Sequence, residues 1–407
     1  MKRSPIAYFL FLFSGITALI YEVVWARMLT LVFGHTVFSV SIVLASFMAG
    51  LGFGSYFFGH AINNIDSKKI HPDSSNFSRE SSEGLVTSLP LLLYGWIEIV
   101  LFLLCLVVSL ILFKFSIIYS WLGFFIPESI VIQNIFKSFL AFILMFLPAS
   151  LMGATLPIIS KYYITDNIRL DGRLGLLYGI NAFGAALGCL LTGFFLIANF
   201  GVLQTVLVAT LMNLFVGVCA IRICQEGEKT SHSLRLPRFT IPKISLKEDQ
   251  WLWVAVSFVC GFTALSYEVM WTRLLVFSTS STVYSFSMML GVFLIGIALG
   301  SFLVIVVFRS SLNLRTVLIF LQMSIGFYVI GSLYNIEQLL SVPWNGYNLQ
   351  KPAFVFWRYF LDSSALMLLP TIAFGMSFPI LIKIISNGHK DIGKGTGQIY
   401  GVNTFGA

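Results

Sequence analysis

The chain has 407 residues, of which 57% are hydrophobic and only 10% charged, with a mean hydropathy of +0.90; ordinary soluble domains carry roughly 25% charged residues. A soluble fold of this length has too little interior to hide so much apolar surface, so lipid is the expected solvent for much of it. The net charge of +8 would suit a nucleic-acid partner, but its distribution along the chain, set out below, excludes one.

A bilayer core about 30 Å thick takes about 20 helical residues, and apolar runs of that length recur along the chain. The first, 6–31, follows Met1-Lys2-Arg3. It outlasts a signal-peptide apolar region and no A-x-A site follows it, so it reads as an uncleaved first helix. Nine more complete runs follow at 35–62, 89–115, 131–162, 173–199, 202–224, 250–277, 281–308, 314–334 and 353–386, and an eleventh begins near Gly395. The short alternating segments of a membrane β-barrel are not the pattern here. Between the second and third runs, about 60–88 is rich in Ser, Asn, Asp and Lys and reads as a mobile loop.

The runs repeat. Ala18-Leu19-Ile20-Tyr21-Glu22-Val23-Val24-Trp25-Ala26-Arg27 returns as Ala264-Leu265-Ser266-Tyr267-Glu268-Val269-Met270-Trp271-Thr272-Arg273, an offset of 246 that also relates Gly50 and Gly54 to Gly296 and Gly300. A second series at an offset of 222 relates Pro148, Gly153 and Pro157 to Pro370, Gly375 and Pro379, and Tyr178, Asn181 and Gly184 to Tyr400, Asn403 and Gly406. The expected fold is therefore an all-α polytopic membrane protein of two parallel six-helix repeats, like the halves of major facilitators. Residues 1–224 form the first repeat, 225–249 a basic cytoplasmic linker, and 250–407 a second repeat cut short in its fifth helix. A complete second copy would extend roughly 39 residues past Ala407, the distance from Ala185 to Cys224.

With the N-terminus inside, the outer side holds only Lys114, Lys137, Lys351 and Arg358; apart from Arg27 and Arg273 within spans, every other Lys and Arg falls on the inner side. That asymmetry orients the protein with its N-terminus in the cytoplasm and accounts for the basic balance without nucleic acid. The cysteines, Cys105, Cys189, Cys219, Cys224 and Cys260, lie in or at the ends of apolar runs without metal-ligand spacing, so packing is their expected role and neither metal nor cofactor is implied.

Four ionisable residues are duplicated: Glu22 and Arg27, Glu268 and Arg273. Five residues apart on a helix, Glu and Arg point about 140° away from each other, which predicts pairing across the repeats, Glu22 with Arg273 and Glu268 with Arg27. Such pairs are either a structural clamp, assisted by Tyr21, Trp25, Tyr267 and Trp271 as membrane-interface anchors, or part of a ligand or gating site. Glu98 stands alone near mid-bilayer, its counterpart being Ser324, and is a candidate buried cation or proton site. Tyr178, Asn181, Tyr400 and Asn403 are candidate cavity-lining residues that either bond neighbouring helices or touch a substrate. Gly50/Gly54, Gly184/Gly188 and Gly296/Gly300 form small-xxx-small faces. The Gly393–Gly397 stretch imitates a phosphate loop but lies between membrane helices and reads as a cytoplasmic loop.

The Tyr21-Glu22-Val23-x-Trp25-x-Arg27 block, with Leu151-Met152-Gly153-Ala154-Thr155-Leu156-Pro157 and Leu177-Tyr178-Gly179-Ile180-Asn181-Ala182-Phe183-Gly184-Ala185, resembles bacterial membrane-bound spermidine synthase-like proteins, or fused major facilitator/spermidine synthases. The resemblance implies a soluble aminopropyltransferase-like domain downstream; no βαβ unit or glycine-rich nucleotide loop lies in these 407 residues. Two functions follow as expectations: a secondary transporter of polyamines or related organic cations, or a membrane anchor and sensing scaffold for such a domain. The lipid bilayer is the partner in either case.

Overall fold

The computed structural model describes residues 6–34, 36–67, 79–122, 129–163, 170–227, 248–279, 283–334, 352–386 and 392–407. Regular structure among them is helical throughout. The helices are α1 (Ile6–Phe33), α2 (Thr36–Ser67), α3 (Arg79–Phe113), α4 (Phe115–Leu122), α5 (Ile130–Tyr163), α6 (Leu170–Leu191), α7 (Ile197–Gly227), α8 (Glu248–Thr279), α9 (Val283–Arg309), α10 (Leu314–Tyr334), α11 (Pro352–Ser386) and α12 (Ile392–Gly406). Among the described residues nine stretches are long and apolar enough to cross a membrane, so the protein is an all-α, multi-pass membrane protein. Leu103, Val107, Phe139, Ile143, Phe215, Phe320 and Phe327 are exposed on its sides, the surface that a bilayer would cover.

One apolar stretch, Arg173–Gln225, is 53 residues long. As one straight helix it would reach about 80 Å, far beyond a hydrocarbon core of about 30 Å. It is two crossings. After a π-helical turn at Thr192–Leu196 the backbone leaves helical geometry at Gly201 (φ 77°, ψ 175°), and both α6 and α7 pack on α1. That φ/ψ combination is open essentially to glycine alone. Nothing lies within 4 Å of where a Cβ at Gly201 would sit, so Gly201→Ala introduces backbone strain without a clash, expected to cost about 1–3 kcal/mol. The check is the unfolding temperature in detergent, which should fall; one equal to wild type would mean that the turn does not need this conformation.

The interior is built on close helix pairs: α2 with α5, α9 with α11, α1 with α6 and α8 with α12, joined by α6 against α9 and α12 against α2. Glycines set the distance. A methyl on Gly54 would fall on the Ser150 carbonyl, and one on Gly300 would fall on the Ile372 carbonyl; Gly153 faces Leu51 as Gly375 faces Ile297. Gly15 abuts Asn181 as Gly261 abuts Asn403, and Gly184 abuts Leu12 as Gly406 abuts Phe258. Contacts between the two sets behave likewise. Gly175 meets Ser301 and Gly179 meets Phe302, while Gly397 meets Ser55 and Gly401 meets Tyr56. Each second contact is the first displaced by 246 and 222 residues.

Several expectations are corrected. Helix occupies 60–67 and 79–88 at the two ends of the expected loop; its centre, 68–78, and the linker residues 228–247 lie outside the described residues. Gly393–Gly397 belongs to the first turns of α12 and is not a loop. The short α4 was not anticipated, being continuous in hydropathy with α3. Tyr21, Trp25 and Trp271 are buried rather than placed at a membrane interface. The Trp25 indole N–H finds a polar partner inside, donating to Ser109 Oγ at 2.8 Å, and that bond removes the need for an aqueous rim.

Candidate functional site: an acidic cavity between the two sets of helices

A cavity of about 220 Å³ lies where α1, α2, α5 and α6 meet α8, α9, α11 and α12. At roughly 30 Å³ per water this is space for about seven waters, or one small molecule. Every lining residue except Leu290 and Leu381 has its counterpart at 246 or 222 residues on the wall as well. The wall is apolar over most of its area, with Leu19 and Leu265, Leu51 and Ile297, and Phe47 and Phe293 contributing, and its polar groups are few and convergent.

The most consequential of these are Glu22 and Glu268. Helical phase turns both into the cavity, where Glu22 is 4% and Glu268 3% exposed. Oε1 of each carboxyl lacks a hydrogen-bond partner. The two interact electrostatically with each other, and the buried Cys189, whose thiol donates to the Ser287 carbonyl at 3.3 Å, lies in the field of both. The predicted cross-pairs do not form: neither Glu22–Arg273 nor Glu268–Arg27 is an ion pair among the described residues. Arg273 is exposed and Arg27 half-buried. The 140° between Glu and Arg, which argued against pairing within one helix, also carries the arginines away from the cavity once the glutamates enter it.

Tyr178, Asn181, Tyr400 and Asn403 all lie on the cavity wall. The Asn403 amide donates to the Ser257 carbonyl at 2.9 Å, tying α12 to α8. Tyr178 packs on Phe378 with ring centroids 4.6 Å apart, and Phe378 packs on Tyr400 at 5.5 Å. These rings join a buried cluster containing Leu10, Leu174, Leu177, Ile382 and Ile385, which closes the cavity toward the N-terminal end of α1. Ser377, also on the wall, accepts a hydrogen bond from Gln322 of α10 at 3.0 Å.

Glu98 is elsewhere. It is fully buried in α3 and does not line the cavity. Its polar neighbours are Ser14 and Tyr94, with Tyr21 and Cys105 within electrostatic reach. Sequence reasoning picked out Glu22 and Glu268 as charges but not as neighbours. The signal was present in the sequence, where the two glutamates occupy corresponding places in matching blocks 246 residues apart. No group of His, Cys, Asp and Glu among the described residues is arranged to hold a metal ion. Comparison with protein-family models and with curated proteins finds no match for this chain.

Proposed function

We propose that this chain is the membrane module of a secondary transporter, built from two parallel repeats in the manner of major facilitators, which carries a small organic cation. The observation that carries this reading is the cavity between the two sets of helices, into which two glutamates bring unpartnered carboxyl oxygens with no cation among the described residues beside them. A buried carboxylate without a partner is costly, and two facing each other are more so. An ammonium ligand offsets both terms, and a ligand with two cationic groups would satisfy both carboxylates together. The register of the glycine contacts, each recurring at 246 and 222 residues, supports the repeat architecture, and a binding site near the axis between repeats is the usual place for a transported substrate.

The resemblance to spermidine synthase-like membrane proteins makes polyamines the first substrates to test. The Lys and Arg asymmetry supports an N-terminus on the cytoplasmic side of the plasma membrane. The test is uptake of radiolabelled putrescine and spermidine into proteoliposomes. Saturable accumulation that competing polyamine suppresses is the expected result. Well-folded protein that takes up neither compound, with proton and sodium gradients imposed in both directions, would overturn the transport reading in favour of a membrane anchor for an aminopropyltransferase-like domain.

A further inference from the structure

Glu98 is the buried charge that the cavity leaves unused, and its surroundings are specific. Neither of its carboxyl oxygens makes an aligned hydrogen bond, although the Ser14 and Tyr94 hydroxyls stand within side-chain hydrogen-bonding reach, and its exposure is 0%. The groups that face it can be named helix by helix. α1 contributes Ser14 and Tyr21, and α3 itself contributes Tyr94 and Cys105. The buried apolar cluster that takes in Tyr21 and Cys105 also contains Met145 and Met152 from α5 and Val206 and Ala209 from α7. No Lys, Arg or His among the described residues acts on the carboxyl.

The Tyr94 hydroxyl donates its proton to the Leu10 carbonyl at 3.1 Å. While that bond is made, the Tyr94 hydroxyl has no proton to give Glu98. A permanently sealed acid would do nothing, but this one is not sealed. Ser14, the other hydroxyl beside it, is also part of the cavity wall, so a single side chain separates Glu98 from the space in which Glu22 and Glu268 stand.

We propose that Glu98 is a proton-binding site linked to the central cavity through the Ser14 hydroxyl, distinct from the two carboxyls that face the substrate. In the transfer, Glu98 gives its proton to Ser14 Oγ while Ser14 gives its own hydroxyl proton to water in the cavity. One O–H bond breaks and one forms at Ser14, and the net result is one proton delivered and Glu98 left as the carboxylate. Return follows the same path in reverse. A cation entering the cavity favours release of that proton, so the device couples cation movement in one direction to proton movement in the other.

The coupling rests on the transport reading, whereas proton exchange at Glu98 does not, and the experiment separates them. In infrared difference spectra between acidic and alkaline buffer, the wild-type protein should show a protonated-carboxyl C=O band that is absent from Glu98→Gln. Its shift in heavy water, which reports exchange of the carboxyl proton, should be slower in Ser14→Ala. In proteoliposomes, Glu98→Gln should lose the stimulation by a proton gradient, roughly 5–150-fold for a coupling of this kind, while substrate-for-substrate exchange at equal pH continues. Glu98→Asp should restore part of the stimulation. A band that does not respond to pH, or Glu98→Gln accumulating substrate as wild type does, would overturn the proposal. If wild type transports nothing but the band responds to pH and its exchange depends on Ser14, the proton site stands and the transport reading fails.

Discussion

On the transport reading, replacing Glu22 and Glu268 together with glutamine should abolish measurable uptake while leaving the fold intact. A hydrogen bond to a charged group contributes about 1.5–3 kcal/mol, so each carboxyl should account for roughly 10–150-fold in apparent affinity. The single variants should resemble one another, because the two side chains occupy equivalent positions on the cavity wall. Stability should move the other way. Both carboxyls are almost fully buried, line the same cavity within electrostatic reach of each other and each leaves Oε1 unpartnered. Neutral amides in their place relieve like-charge repulsion and desolvation, so the unfolding temperature of the double variant should equal or exceed that of wild type. Ordinary packing residues would lose stability on substitution, and a clamp of Glu–Arg pairs would lose more. A double variant that transports at the wild-type kcat/KM would remove the cavity carboxyls from any account of function.

The second large effect is expected at the glycine seams. Gly54→Ala and Gly300→Ala place a methyl against a backbone carbonyl of the neighbouring helix. Backbone cannot rotate away as a side chain does, so the helices must separate, at a cost at or beyond the upper end of the usual 1–3 kcal/mol for overpacking. The checks are the yield of monodisperse protein and the unfolding temperature. Gly326→Ala supplies the contrast. It lies in α10 with nothing within 4 Å, and there the better helix former should be neutral or stabilise by up to about 1 kcal/mol. Equal behaviour of Gly54→Ala and Gly326→Ala would mean that α2 and α5 do not meet as closely as described.

Particular residues mark where the sequence was legible and where it stopped. Long apolar runs locate the helices because hydropathy over 20 residues is a property of the segment alone. The turn near Gly201 was legible because a bilayer admits only so many residues per crossing. The wall positions of Tyr178, Asn181, Tyr400 and Asn403 were candidates because polar groups one turn apart inside a membrane need an interior face. The partners of Glu22 and Glu268 were not legible. Charge complementarity suggested Arg273 and Arg27, but which face of α1 and α8 turns toward the other half depends on how whole helices dock. That is decided by contacts such as Gly15 on Asn181 and Gly184 on Leu12, which carry no charge signal. Burial of Trp25 was missed for the same reason, since its partner Ser109 is 84 residues away.

The correspondence between the two cavity walls has a consequence for what can sit between them. Glu22 corresponds to Glu268, Tyr178 to Tyr400 and Asn181 to Asn403, so a ligand reversed end for end meets the same carboxyl, phenol and amide groups. A molecule with like ends gains a statistical advantage from this degeneracy, while one with unlike ends binds in two opposed poses of similar affinity. Handedness must come from the positions where the walls diverge. Among those are Phe374 where the other wall has Met152 and Phe378 where it has Leu156, an aromatic face in place of a flexible aliphatic chain, and the polarity changes from Ser14 to Cys260 and from Ala182 to Thr404. A ligand that is told apart from its own reverse is told apart at such positions.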